Sequence, residues 1–128
     1  MSVRDTPGGC MPKEILERIH SFGFSDFRTG LWNMYVGVKI RGTVVCDAAG
    51  TAPEEPVEFR YRDVQGNFYV SSRAWRRGNQ AEILINGTDY STNLRGINIV
   101  LYDGRSGRVV DSIGFDSHEK KTEFKRKA

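Results

Sequence analysis

The chain has 128 residues, of which 38% are hydrophobic and 27% charged, and this size and composition fit one domain with its own core. No apolar run approaches the roughly 20 residues that a membrane-spanning helix needs, and residues 1–10 lack the apolar stretch of a signal peptide. These features exclude a membrane span and argue against secretion by a signal peptide, so we expect a cytoplasmic protein or part of a larger particle.

The net charge of +3 is located at one end of the chain. Residues 119–127 contain five Lys or Arg and two Glu, which alone account for the whole +3 and leave the remainder neutral. Nucleic-acid binding through phosphate contacts needs a basic face on the folded body. The sequence therefore disfavours nucleic acid as a partner and sets residues 119–128 apart as a basic C-terminal tail.

Residues 1–11 are polar, contain two glycines and show no periodicity of apolar residues. Such a segment is typical of an N-terminal arm, and we expect a single β-rich domain over residues 12–118. Cys10 lies in this arm and Cys46 in the domain, so they could pair in principle, but a cytoplasmic origin favours two free thiols.

One short helix is predicted near the start of the domain. Pro12 suits the first helical turn, where a missing N–H costs nothing, and Gly23 is a stop signal. His20, near the end of this helix, is expected to be a surface residue. The apolar stripe of the helix consists of Ile15, Leu16, Ile19 and Phe22. The connector after the helix is expected to attach to the core through Phe24 and Phe27.

The rest of the chain carries the signals of β-structure. Apolar and polar residues alternate over residues 32–44, a strand that is either long or broken near Gly42. They alternate again over residues 57–62, which are expected to form a hairpin with residues 68–70. Residues 47–56, with two prolines, are expected to be a loop.

Three further strands are predicted at residues 83–85, 97–101 and 109–113, separated by Asn86-Gly87 and by a glycine-containing turn over residues 103–107. The count is six or seven strands and one helix, without alternation of strands and helices. We therefore expect a mostly β fold, an antiparallel two-sheet β-sandwich or partial barrel with one short N-terminal helix.

The same C-terminal stretch resembles a known domain. The likeness is to the domain shared by the interleukin-like inducers of epithelial–mesenchymal transition, related cytokine-like secreted proteins and the stem domain of the O-mannose N-acetylglucosaminyltransferase, with similar domains in bacteriophage tail-associated proteins. The matching positions are Ile85-Asn86-Gly87, Arg95-Gly96-Ile97-Asn98-Ile99-Val100, Gly107 to Val109 and Phe115-Asp116.

In that family the Phe-Asp pair is followed by a helix and further strands, whereas here residues 117–128 follow it, so the resemblance covers only the first half of the domain pattern. It implies that six residues belong to the structural framework and that Arg95 reaches a carboxylate, with Asp116 as the candidate. Whether another chain completes the domain stays open. The six framework residues are Asn86, Gly87, Arg95, Gly96, Phe115 and Asp116.

No catalytic residue, metal site or cofactor is predicted. Asp116, Ser117 and His118 supply the residue types of a catalytic triad, but neighbours in sequence do not converge on one reacting atom. The two cysteines and two histidines lie at positions 10, 20, 46 and 118, without the paired spacing of zinc ligands. We therefore expect a protein that is not an enzyme.

One predicted surface combines aromatic rings with guanidinium groups. Such rings stack on sugars or bases, guanidinium groups bind carboxylates or phosphates, and both are enriched at protein interfaces. The alternative is that Trp75 belongs to the core and that the arginines form a solvated face. The candidate residues for a ligand or partner surface are Arg60, Tyr61, Arg62, Tyr69, Arg73, Trp75, Arg76 and Arg77.

The favoured hypothesis is a structural component of a bacteriophage virion or tail, which assembles with other subunits or as a homo-oligomer through its arm and tail. The first alternative is a carbohydrate-binding module, as the stem-domain branch of the resemblance implies, and the second is a nucleic-acid-binding protein. A shortened domain also has a physical reason to associate, because strands without partners in their own chain leave unpaired edges and apolar surface.

Overall fold

The computed structural model describes residues 1–6, 12–28, 30–51, 56–73, 80–116 and 124–126. Within these ranges the fold is mostly β, with ten strands and one helix. The elements are β1 (Ser2–Thr6), α1 (Lys13–Ser21), β2 (Gly30–Ile40), β3 (Thr43–Thr51), β4 (Val57–Asp63), β5 (Gly66–Arg73), β6 (Gln80–Ile85), β7 (Thr88–Asp89), β8 (Gly96–Asp103), β9 (Arg108–Asp116) and β10 (Phe124–Arg126).

The strands form two antiparallel sheets that pack as a sandwich. The larger sheet has the order β10-β9-β8-β1-β2-β3, and the smaller sheet has the order β4-β5-β6-β7. Every pairing among the described strands is antiparallel, and these strands do not close into a barrel. The predicted two-sheet fold with one short N-terminal helix is confirmed.

Two tight turns follow directly from local sequence. Asn86 and Gly87 have φ angles of 51° and 85° and reverse the chain between β6 and β7. Arg41 and Gly42 have φ angles of 50° and 80° and do the same between β2 and β3. Two successive positive φ angles are what a two-residue hairpin turn requires. The predicted Asn-Gly reversal is confirmed, and the strand of residues 32–44 is broken near Gly42.

The larger sheet is the middle of three layers. Its inner face packs on the smaller sheet, and its outer face is covered by α1 and the connector that follows it. The buried residues of the inner cluster are Val36, Val70 and Ile83. Those of the outer cluster are Val3, Phe24, Phe27, Tyr35 and Ile97. The predicted attachment of the connector through its two phenylalanines is confirmed.

The helix begins after Pro12, as predicted, but only half of its apolar stripe is covered. Leu16 and Ile19 pack against the outer cluster. Ile15 and Phe22 remain 42% and 52% exposed.

The N-terminal segment differs from the predicted arm over residues 1–11. Residues 2–6 form β1, which pairs with β2 on one side and with β8 on the other. Ser2 and Val3 are both fully buried, one toward each neighbouring layer. A strand that is buried on both faces need not alternate polar and apolar residues, so no periodic signal marks residues 2–6 as a strand. Residues 7–11 lie outside the described residues.

Hydroxyl groups fix β1 between the two sheets. Ser2 Oγ donates to the Ser71 carbonyl at 2.5 Å, and Ser72 Oγ donates to the Val3 carbonyl. All four residues are buried, so each bond satisfies polar groups that water cannot reach.

Two other expectations need correction. Residues 47–51 were expected in a loop but extend β3 to Thr51. Residues 124–126 of the predicted tail form β10, which pairs with β9. Neither segment alternates apolar and polar residues, so the local pattern does not show its pairing. The predicted strands 83–85, 97–101 and 109–113 are present, with β6 in the smaller sheet and β8 and β9 in the larger.

The burial of β1 predicts a large effect of a small substitution. Val3→Ala should lower the free energy of unfolding by about 2 kcal/mol, because it removes two methyl groups from a fully buried site. Val110→Ala is the matched control at a residue that is 66% exposed, and it should cost about 0.5 kcal/mol or less. Urea unfolding measures both; equal effects would contradict a buried N-terminal strand.

Candidate functional site

The strand β1 is shorter than the two strands beside it. Ser2 pairs with Val36 of β2 and with Asn98 of β8, but β2 continues to Ile40 and β8 continues to Asp103. The described residues place no strand between these continuations. Met1 continues the line of β1 by one residue, since its amine donates to the Gly37 carbonyl at 2.7 Å and its carbonyl accepts from the Gly37 N–H at 3.0 Å. We call the space between residues 38–40 and residues 99–103 the strand gap. One further strand between two flanks needs two strand spacings, about 9.5 Å.

The strand gap opens into a cavity of about 700 Å³. This volume lies within the range of about 300–1,000 Å³ that is typical of ligand sites. The cavity extends from the inside of the sandwich to a groove beneath α1. On the inner side it is lined by Phe68, Val70, Ile83, Ile85, Val100 and Tyr102. On the outer side it is lined by Ile15, Ile19, Phe22, Ile99 and Leu101.

Several apolar side chains on the outer side are open to solvent. Ile99 is 39% exposed and Leu101 is 56% exposed, and they face the exposed Ile15 and Phe22 across the same cavity. Single exposed apolar residues are normal, but a contiguous group is typical of an interaction surface.

Charged residues surround the cavity, with more cations than anions. Arg41 pairs with Asp63 at 3.1 Å. The carboxylate of Asp103 accepts a hydrogen bond from the backbone N–H of Arg105, which lowers the pKa of Asp103. The ionisable side chains of the lining are Arg18, Lys39, Arg41, Asp63, Asp103 and Arg105. The N-terminal amine of Met1 also lines the cavity, and burial lowers its pKa to about 5. Four cations against two anions favour an anionic group at this opening.

The amine of Lys39 is used to hold the helix end. Its Nζ donates to the Phe22 carbonyl at 2.7 Å and lies 4.1 Å from the centroid of the Phe22 ring. This contact spans the groove between β2 and the end of α1, so it defines one wall of the outer opening.

A carboxylate network holds the connector behind that wall. Asp47 of β3 accepts hydrogen bonds from the Tyr35 hydroxyl at 2.5 Å, the Ser25 hydroxyl at 3.0 Å and the Asp26 N–H at 3.1 Å. Burial raises the pKa of Tyr35, and the hydrogen bond to Asp47 adds to the rise. His20 is half-buried, with Nε2 2.8 Å from the carbonyl of Phe27, so it also contacts the connector.

The aromatic and basic residues that the sequence grouped as one surface do not share one face. Arg60 and Tyr69 lie on the solvent face of the smaller sheet, where the Arg60 guanidinium is 4.3 Å from the Tyr69 ring centroid. Tyr61 points to the opposite face and packs against Phe59 and Phe68. Successive strand residues face opposite sides, which places Tyr61 in the sandwich interior and corrects its assignment to the surface.

The solvent face of the smaller sheet carries both signs of charge. Glu58 accepts hydrogen bonds from the Tyr69 hydroxyl at 2.9 Å and from Arg73 Nη2 at 3.4 Å. Glu82 is 3.7 Å from Arg73 Nε. Arg62 is exposed on this face. Three other predicted residues of the surface, Trp75, Arg76 and Arg77, lie outside the described residues.

The motif residues at turns and strand ends organise the region between the sheets. Asn86 Oδ1 accepts a hydrogen bond from the Asn67 N–H at 2.9 Å, and so connects the turn it forms with Gly87 to the β4–β5 hairpin. Asn98 is fully buried, and its Oδ1 accepts hydrogen bonds from the Leu94 N–H at 2.9 Å and the Thr92 hydroxyl at 2.8 Å. These bonds fix the segment that crosses from the smaller sheet to β8.

The remaining framework residues lie where β8 and β9 meet. Gly96 begins β8 opposite Asp116, and Phe115 packs against the outer cluster. Arg95 is exposed, and its expected contact with Asp116 stays a prediction.

The structure describes no group of three or more His, Cys, Asp or Glu residues arranged to hold a metal ion. Within the described ranges, no helix is long and apolar enough to span a membrane. Comparison of the chain with protein-family models, with curated protein sequences and with solved structures finds no match. The strand gap is therefore the candidate site on the basis of its geometry alone.

The raised pKa of Tyr35 predicts an alkaline loss of stability. Folding keeps this phenol protonated, so its contribution is fully present below pH 10.0, the ordinary pKa, and falls as the pH rises above that value. Tyr35→Phe should cost roughly 1.5–3 kcal/mol near neutral pH through the lost bond to Asp47. We expect the difference in unfolding free energy between the two proteins to shrink above pH 10.0 in urea titrations. A difference in unfolding free energy that stays constant across this pH range would contradict the raised pKa of Tyr35.

Proposed function

We propose that this protein is a non-enzymatic assembly module whose strand gap takes up an extended segment as an additional strand. The observation that carries the proposal is that β2 and β8 continue beyond the pairing of Met1 with Gly37, with no described strand between residues 38–40 and residues 99–103. Unpaired strand flanks present N–H and C=O groups that an added strand can satisfy. In the strand gap an added strand would form backbone hydrogen bonds on both of its sides, whereas a strand added to a sheet edge forms them on one side only.

The side chains of an added strand would meet two different surfaces. In β1, Ser2 points to the smaller sheet and Val3 to the layer of α1. The same alternation would direct inserted side chains toward the inner or the outer part of the cavity. Both parts are largely apolar, and a buried aliphatic side chain contributes roughly 1.5–3 kcal/mol. Backbone pairing would thus supply affinity and the cavity would supply selectivity.

The walls of the strand gap are fixed by contacts within the chain itself. Asp47 fixes the connector, Lys39 fixes the end of α1, and the flanks of the gap are strands already paired on their other sides with β3 and β9. A site that is ordered in advance loses less conformational entropy on binding. This favours stable assembly over transient contact.

We place this assembly in a bacteriophage virion or tail, as the resemblance to tail-associated proteins implies. Two features support this placement. The first is the set of motif residues between Ile85 and Asp116. The second is the pair of unpaired strand flanks, since strands without partners favour association with other subunits. Carbohydrate and nucleic-acid binding have less support in the described surface. Tyr61 faces the interior, and one face of the Tyr69 ring is covered by Arg60.

Selection of binding peptides from a random library, followed by amide hydrogen exchange, tests this function. A bound peptide should slow exchange in residues 38–40 and in residues 100–103 together, because an inserted strand bonds to both flanks. Leu101→Lys should weaken the selected peptides about tenfold by placing a charge against the inserted strand. Val110→Lys, at an exposed residue of the neighbouring strand, is the matched control and should leave their affinity unchanged.

Protection confined to β4 and β5 would assign binding to the outer face of the smaller sheet and contradict the proposal. The same conclusion would follow if Leu101→Lys and Val110→Lys bound the selected peptides equally well.

A further inference from the structure

We infer that two copies of this chain pair through β4, so that their two four-stranded sheets join into one continuous sheet. The two β4 strands run antiparallel about a two-fold axis at Phe59, which places Glu58 of each copy opposite Arg60 of the other. This interface does not involve the strand gap, and it goes beyond the proposed function. It follows from the properties of the sheet edges and from the charges along β4.

The described strands leave four sheet edges, and β4 is the one best suited to pair with another chain. The edges are β3 and β10 in the larger sheet and β4 and β7 in the smaller sheet. Short strands and bulges protect an edge from further pairing: β7 and β10 have two and three residues, and β3 has a bulge at Val45. In contrast, β4 pairs with β5 over seven residues in unbroken register and contains neither Lys nor Pro. Every second residue of such a strand directs its N–H and C=O groups away from β5.

The solvent face of β4 carries charges of both signs. Glu58, Arg60 and Arg62 are exposed and alternate with residues that face the sandwich interior. Among the described residues, neither Arg60 nor Arg62 makes an ion pair. Glu58 contacts Arg73 at 3.4 Å, yet its side chain remains 42% exposed. Because opposite charges on facing strands stabilise an antiparallel pair and like charges destabilise it, these side chains discriminate between registers.

The charges select one register for two copies of β4. In a two-fold symmetric pair the axis passes through one residue, because opposite side chains must lie on the same face of the sheet. An axis at Glu58, Arg60 or Arg62 would place that charge opposite itself. An axis at Tyr61 would place Arg60 opposite Arg62. An axis at Phe59 places Glu58 opposite Arg60 twice and creates no like-charge pair.

The interior face of β4 is apolar in the same register. Val57, Phe59 and Tyr61 are half-buried, and Val57 and Phe59 pack against the inner cluster. The axis at Phe59 places the two Phe59 rings opposite each other, and Val57 opposite Tyr61 of the second copy. Aromatic and β-branched residues on facing strands stabilise an antiparallel pair. Pairing would therefore cover apolar side chains that a single chain leaves partly open.

Sedimentation equilibrium of the full-length chain and of charge-exchanged variants tests this interface. Glu58→Arg and Arg60→Glu each convert both opposite-charge pairs into like-charge pairs, so each should weaken self-association about tenfold or more. In an equimolar mixture each variant supplies the charge that the other lacks, so mixed dimers should form with nearly the affinity of the unsubstituted chain. A chain that carries both substitutions should also recover self-association.

Arg62→Glu is the matched control on the same face of the same strand. With the axis at Phe59, Arg62 lies opposite Pro56 and has no charged partner, so this substitution should leave the affinity of the dimer unchanged. Circular dichroism checks that every variant is folded. Because the mixture restores the charge pairs without any further substitution, its recovery separates a lost contact from a lost fold.

A chain that sediments as a monomer at every concentration would overturn this inference. Dimers that neither Glu58→Arg nor Arg60→Glu weakens would place the contact elsewhere and overturn it as well. Weakening by Arg62→Glu would contradict the register, and so would a mixture of the two variants that stays monomeric. None of these results bears on the strand gap, whose test is amide exchange in residues 38–40 and 100–103.

Discussion

The larger sheet depends on one five-residue strand. The strand β1 joins a pair made of β2 and β3 to a group made of β8, β9 and β10, and these two halves have no other described strand between them. It is fixed to the smaller sheet by two serine hydroxyls and to the outer layer by Val3. Where β1 is present, the sheet is continuous and buried on both faces. Where it is absent, the two flanks stand apart and the sandwich is open.

This arrangement separates stability from binding. The buried hydrogen bonds of Ser2, Ser72 and Asn98 all lie in the continuous part, where each polar group has a partner. The open part has apolar walls and unpaired strand flanks, which contribute little until something covers them. A further strand in the open part would complete the sheet. The same logic explains why the exposed apolar residues Ile99 and Leu101 are tolerated at this position.

Local features of the sequence predicted the local features of the structure. The Asn86-Gly87 turn, the alternation of the β4–β5 hairpin and the proline before α1 each act within a few residues, so the sequence shows them. The burial of β1 was missed because Ser2 and Val3 face two different layers. The strand gap was missed because it depends on residues 2, 36 and 98 meeting in space. One signal was present: residues 99–101 are apolar on both faces of the strand, more than one covered face requires.

An open strand position also carries a hazard, since unpaired flanks and apolar walls can bind any extended chain, including another copy of the same protein. The charges around the cavity bear on this problem. Four cationic and two anionic side chains line it, so a basic segment would be repelled there and an acidic segment attracted. Because such selection would depend on charge, and strand pairing depends on the backbone, the two can vary independently. A change of charge at the opening would then alter which segments are favoured without altering how a strand is held.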